Sequence, residues 1–272
     1  MEVPFAKLAG SGNDFVIVDN RSLRYSFAPE QIRLICDRKT GIGADGLILA
    51  EPGEKCSVKM RIYNSDGYEA EMCGNGLRCL ARFLNEKGIK TPDIESKMGI
   101  HSQEVLLEGV RVSMTDPKNM RLQVELKKGL TVDYLDTGVP HAVLEVTDLD
   151  NIDINILGPY IRHHEAFNPR GANANFVKII DSQTLEIRTF ERGVEGETLA
   201  CGTGATAAAI LMSYRYNWKA PIIVIPKSKE RLIINFEWLS GEARKVTQTG
   251  PVKSIFHGSF HLKDLYASEN KR

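Results

Sequence analysis

Short apolar, β-branched runs alternate with glycine-bearing turns along most of this chain. Runs at 15–18, 47–49, 58–63, 110–112, 122–126, 142–146, 176–180, 185–190, 222–225 and 231–236 predict strands, several of them alternating apolar with polar. Two segments read as helices of an unusual kind. The stretch 203–216 carries no charge until Arg215 and has no polar face, which predicts a helix buried all round. The stretch 75–86 spreads Leu77, Leu80, Ala81, Phe83 and Leu84 over most of its circumference, broken by Arg78 and Arg82, and ends at Lys87-Gly88 with a glycine suited to the position after a helix. A turn-rich stretch around 115–119 separates two segments of similar length, each holding one of these helices. The expected fold is α/β in the α+β sense, strand-dominated, with two pseudo-symmetric halves that each wrap a curved mixed sheet or barrel around one central helix.

What precedes each helix suggests the chemistry. Met72-Cys73-Gly74-Asn75-Gly76 and Ala200-Cys201-Gly202-Thr203-Gly204 are two copies of one device, a cysteine opening a glycine-punctuated turn into an apolar helix. A thiol there lies beside unpaired backbone N–H groups and the positive end of the helix dipole, which favours the thiolate. Two such thiols suggest a two-base site in a cleft between the halves. One thiolate would take an α-proton from one face of a substrate carbon and the other thiol would return a proton to the opposite face, inverting the centre. The amides after Cys73 and Cys201 would bind the carboxylate and its developing charge, with Asn75 and Thr203 adding polar atoms at equivalent positions.

Composition narrows the partners. Across 272 residues, Lys plus Arg and Asp plus Glu both number 35, so no basic excess draws the chain to nucleic acid or to an anionic membrane, and a small neutral or zwitterionic substrate fits better. The first residues lack the basic start and apolar stretch of a signal peptide, and no apolar run reaches membrane-spanning length, so the expectation is a soluble cytoplasmic protein. Five cysteines without C-x-x-C spacing argue against a disulfide framework and a zinc site. Cys36, Cys56 and Cys79 read as small buried hydrophobes.

The motifs Gly10-Ser11-Gly12-Asn13-Asp14-Phe15, Gly41-Ile42-Gly43-Ala44-Asp45-Gly46, Tyr63-Asn64-Ser65-Asp66-Gly67, Gly138-Val139-Pro140-His141, Asn173-Ala174-Asn175-Phe176 and Phe190-Glu191-Arg192-Gly193, with the two cysteine turns, occur in the order found in diaminopimelate epimerases, and the chain resembles that family. The resemblance implies a cofactor-independent homodimer, with no metal, that interconverts LL- and meso-diaminopimelate on the route to lysine and peptidoglycan. It implies halves of 1–115 plus 251–272 and of 116–250. It makes Cys73 and Cys201 the acid/base pair and His141 and Glu191 the polar groups that tune them. Asn13, Asn64, Gly74, Asn75, Asn173, Glu191, Arg192, Gly202 and Thr203 then bind substrate. Arg192 can grip the distal carboxylate, and Glu191 the distal ammonium. On spacing alone His141 would be a turn histidine, Glu191-Arg192 a solvated pair, and the asparagines turn residues.

Three positions depart from the family pattern. Gly46 stands where many members have glutamine, Val139 where many have asparagine, and Phe256 where some have a tyrosine linked to dimer contacts. The alternatives are a proline- or hydroxyproline-type enzyme of the same superfold, which would not need the distal grip of Arg192 and Glu191, and a non-catalytic relative, which should lose a cysteine.

Overall fold

The computed structural model describes residues 1–127 and 129–266, so the expected extent of the first half lies, over 267–272, outside the described residues. The chain divides into two compact units, Met1–Val112 with Pro251–Arg272, and Ser113–Gly250. The first unit carries β1 (Glu2–Gly10), β2 (Asn13–Asp19), α1 (Pro29–Cys36), β3 (Gly46–Glu51), β4 (Lys59–Asn64), β5 (Glu69–Ala70), α2 (Gly74–Glu86), β6 (Asp93–Ser96), β7 (Gly99–Val105) and β8 (Val110–Ser113). The second carries β9 (Lys118–Lys127), β10 (Leu130–Asp136), β11 (Pro140–Glu145), α3 (Ile154–Arg162), β12 (Asn173–Asp181), β13 (Thr184–Glu191), β14 (Gly196–Thr198), α4 (Gly202–Tyr216), β15 (Ile222–Ile225), β16 (Leu232–Leu239) and β17 (Glu242–Gly250), after which β18 (Lys253–His261) belongs to the first unit.

In the first unit the strands run β18-β1-β2-β3-β4-β6-β7-β8, antiparallel except for β2–β3 and β4–β6, with β5 added to β4. In the second they run β9-β10-β11-β12-β13-β15-β16-β17, again antiparallel except at the third–fourth and fifth–sixth neighbours, with β14 added to β13. The helices occupy matching places in the two sequences of elements. Each parallel step needs a crossover, and α1, α2, α3 and α4 are those crossovers.

The central strands are buried on both faces, which is why they read as continuous apolar runs. In the first unit Val16, Val18, Leu47 and Leu49 pack with Ile32 and Ile35 of α1. The alternate residues, among them Ile48 and Ile62, meet α2, whose Gly76 comes so near that a Cβ would stand 2.9 Å from the Ile62 Cδ1. In the second unit Ala142, Ala174, Phe176 and Phe190 pack with Ile154 and Ile161 of α3. Helix α4 packs against β10, β11, β12, β13, β15, β16 and β17. Its residues from Gly204 to Ser213 are buried, as the chargeless run requires, and the alanines at 205 and 207–209 let so many strands approach.

The last turn of α4 is tied down by charge. Arg215 donates to Asp133 of β10 at 2.5 Å and to Glu145 of β11 at 2.9 Å, and the Gln123 amide donates to the other Asp133 oxygen at 3.0 Å. Asp133 is completely buried, so these partners take the place of water around its carboxyl oxygens.

Both predicted helices begin one residue earlier than expected, each on its first glycine. Strands β1, β5–β7, β10, β14, β17 and β18 and helices α1 and α3 have no counterpart among the predicted elements. Their patterns are weak for physical reasons: β1 contains Pro4, β14 is three residues long, and β18 is exposed along most of its length. The turn expected around 115–119 is shorter than the sequence implies, because Asn119 lies inside β9 with φ of 57°. Of the three cysteines read as buried hydrophobes, Cys36 and Cys79 are buried, whereas Cys56 is only half-buried.

Candidate active site

In the first unit α2 opens on Cys73, whose extended backbone makes it the N-cap and whose Sγ accepts the Gly76 N–H at 3.4 Å. Sulfur thus fills the place that a serine or aspartate oxygen takes at an ordinary helix start. No acidic residue lies in the first turn to offset the positive end of the helix. The amides of Gly74 and Asn75 belong to the set that an α-helix leaves without intrahelical partners.

The Asn75 side chain is oriented by Arg78, a fully buried guanidinium that donates to Asn75 Oδ1 at 2.7 Å and to Ser11 Oγ at 2.8 Å. Because guanidinium only donates, the Asn75 amide nitrogen is turned outward, and it donates to Asn13 Oδ1 at 2.6 Å. Asn13 in turn donates to Asp45 at 3.1 Å. Ser11 and Gly12, with φ of 55° and 92°, form the two-residue hairpin turn that delivers Asn13 to the start of β2. Strand register then places Gly46, at the start of β3, opposite Asn64, at the end of β4, so Asn13, Gly46 and Asn64 share one end of the sheet. Asn64 is exposed there and also closes its turn, accepting the Gly67 N–H at 2.9 Å. Gly46 cannot be replaced cheaply, since a Cβ would stand 2.5 Å from the Tyr63 carbonyl oxygen.

Next to Asn13, Asp14 is held by Lys7 at 2.8 Å and by Arg38 at 2.7 Å. Burial works to raise its carboxyl, but the hydrogen bonds and charges of Arg38 and Lys7 prevail and set it at about 2. A carboxyl held low in the fold stabilises above its unfolded value near pH 4 and loses that contribution as pH falls toward 2. Thermal unfolding followed from about pH 5 to about pH 2 is expected to show a steeper acid loss for the wild type than for Asp14→Asn; equal slopes would show that the pair contributes nothing.

In the second unit Cys201 is the N-cap of α4, buried, with Thr203 Oγ1 at 3.5 Å from its Sγ. Gln248 donates to the Gly202 carbonyl at 2.8 Å and Thr137 to the Thr203 carbonyl at 3.2 Å, which secures the first turn. Beneath it lies His141 of β11, wholly buried, its Nδ1 facing Asn175 Nδ2 at 3.2 Å. Burial, reinforced by the positive charge of Arg192, pushes the imidazole down to about 3, so it is neutral at physiological pH.

Asn173 has two backbone partners: it donates to the Pro140 carbonyl at 2.9 Å and accepts the Arg192 N–H at 2.8 Å. It thereby fixes the backbone on which His141 and Arg192 sit. Glu191, ending β13, accepts from Thr198 at 2.9 Å. Val139 lies half-buried in the three-residue loop between β10 and β11, where Gly138 has φ of 100°. Asn175, Arg78 and Asp45 were not singled out from sequence. Asn175 could have been, because Asn173 and Asn175 are two apart on a strand and so share a face with His141. No group of three or more His, Cys, Asp or Glu side chains converges as a metal site among the described residues.

The paired sheets and matched helix starts place the chain in a fold shared with solved racemases and epimerases. A probable proline racemase from Agrobacterium radiobacter K84 superposes with a TM-score of 0.72 at 14% identity over 96% of this chain and 93% of that one. A hydroxyproline epimerase from Agrobacterium vitis gives 0.71 at 13% identity over 95% and 91%. These likenesses are of fold alone. The family profile described as diaminopimelate epimerase matches residues 5–120 and 134–255. The chain is 43% identical to the diaminopimelate epimerase of Aquifex aeolicus (strain VF5) over 93% of its own length and 96% of that protein, and 40% identical to that of Chlorobaculum tepidum over 94% and 100%. It belongs to the diaminopimelate epimerase family, and is accordingly an isomerase.

Proposed function

We propose that this chain interconverts LL- and meso-diaminopimelate by a two-base mechanism in which Cys73 and Cys201 act on opposite faces of one α-carbon. The observation that carries the reading is the equivalence of the two thiols. Each is the N-cap of the central helix of its unit, three residues beyond a short strand added at the matching place in the sheet. In one direction the Cys73 thiolate removes the α-proton as the Cys201 thiol donates its own; in the other the roles exchange. The two titrations are then coupled through the substrate and belong to the pair.

The first-turn amides, Gly74 and Asn75 in one unit and Gly202 and Thr203 in the other, bind the reacting carboxylate as its charge spreads toward the enolate. Arg192 takes the distal carboxylate and Glu191 the distal ammonium, while Asn13 and Asn64 complete that end. The family resemblance carries with it a cytoplasmic homodimer, and Ile255 and Phe256, exposed on β18, offer apolar surface to a second copy. The meso product would feed lysine synthesis.

The test is incubation of the reduced protein with LL-diaminopimelate in deuterated water, with no pyridoxal phosphate or metal added. Deuterium is expected at one α-carbon of the meso product. Exchange with free proline in place of diaminopimelate would transfer the protein to the proline type.

A further inference from the structure

Because the two sheets share one register, each position beneath α2 has a counterpart beneath α4. Phe15 pairs with Gly46 in the first unit as His141 pairs with Asn173 in the second, and Ile48 pairs with Ile62 as Asn175 pairs with Thr189. Three apolar side chains in one unit are therefore three buried polar ones in the other, at 0% exposure for His141 and Asn175 and 3% for Thr189. Burying polar groups where the duplicated core accepts phenylalanine and isoleucine is costly unless their bonds are satisfied and used.

Those bonds settle which way each group faces. Asn175 Oδ1 accepts the Thr189 hydroxyl at 3.0 Å. Its Nδ2 faces the carbonyls of Ala142 at 3.0 Å and Asn173 at 3.3 Å. Carbonyls only accept, so the edge facing them is the NH2 edge, which assigns the His141 Nδ1 on that same edge the part of an acceptor sharing its two N–H groups with the carbonyls. A neutral imidazole that accepts at Nδ1 carries its proton on Nε2. That Nε2 is buried and has no hydrogen-bond partner among the described residues. The carboxamide is also backed by the helix, since a Cβ on Gly204 would stand 2.4 Å from Asn175 Oδ1.

We propose that Asn175 is a positioning residue that fixes the His141 proton on Nε2, so that His141 serves the reaction as a hydrogen-bond donor to an anion and not as a proton acceptor. The assignment rests on the proposed epimerase reading for its purpose but not for its geometry. No proton leaves Nε2 in the cycle; the thiols alone exchange protons with the substrate carbon.

The test is a long-range proton–nitrogen correlation spectrum of protein labelled with 15N-histidine, the His141 signals being those lost in His141→Gln. Wild-type protein without substrate is expected to show Nδ1 unprotonated and Nε2 protonated over roughly pH 6 to 8. Asn175→Ala is expected to mix the two tautomers and to lower kcat about tenfold with KM little changed. Asn175→Asp, which presents a carboxylate to Nδ1, is expected to draw the proton there. Protonated Nδ1 or imidazolium in the wild type overturns the proposal, and so does an Asn175→Ala protein that keeps the wild-type tautomer. The wild-type spectrum decides even if a variant fails to fold, and it needs no substrate, so it stands or falls separately from deuterium incorporation.

Discussion

Replacing either Cys73 or Cys201 with alanine is expected to lower epimerisation by about 10³-fold or more, because a positioned acid or base contributes on that order and in the proposed two-base reading the same group is the sole carrier of the proton on its face. The fold is expected to survive. Cys73→Ala gives up the N–H···S cap at a helix whose first ten residues are, with one exception, buried, and loss of a cap costs about 1 kcal/mol. Cys201→Ala removes a small buried thiol whose Sγ lies 3.5 Å from the Thr203 hydroxyl. Deuterium incorporation into diaminopimelate, with far-UV circular dichroism as the check on folding, reads both. Near-normal turnover in either variant would overturn the two-base mechanism.

Asp133→Ala is expected to destabilise the protein by roughly 3 kcal/mol, the low end of the cost of removing one member of a buried ion pair, because Arg215 keeps Glu145 as a partner. Asp133 has no exposed side-chain surface, whereas Arg215 retains 27% of its own, so the arginine can recover some hydration and the larger figures for fully enclosed pairs do not apply. The lost acceptor for the Gln123 amide adds to the effect. Urea unfolding is the measurement, and a loss below about 1 kcal/mol would mean that the pair behaves like a surface bridge. Removing Arg215 as well should return part of the stability, as coupled partners do.

The elements legible in the sequence are those whose burial imposes a pattern. Strands β2, β3, β12 and β13 are enclosed by helices on both faces, and α4 has no polar side to blur it, so their pattern places each within three residues of its observed ends. A strand whose side chains meet water, such as β18, carries little pattern, and its pairing with β1 is set by a neighbour far away in the chain. The thiols stood out because the same turn occurs twice. His141 and Arg192 came only with the family resemblance, since a histidine after a proline and an Glu-Arg pair have commonplace explanations. Asn175 lay inside a motif already noticed. What carries its proposed role, the carbonyls and the hydroxyl that dictate its orientation, comes from β11 and β13 as well as its own strand and has no local signature.

The repeated strand order has a consequence for how this molecule can be altered. The same architectural position occurs twice in one chain, once under each thiol. What is identical in the two halves, cysteine followed by glycine, any residue and glycine, is what the proposed two-base reading asks of either face of a stereocentre. What differs, Ile48 against Asn175 and Ile62 against Thr189, marks where that reading has the two faces served differently. Exchanging such counterparts between the halves, singly and in sets, would therefore separate the shared requirement of inversion from the private requirement of each side.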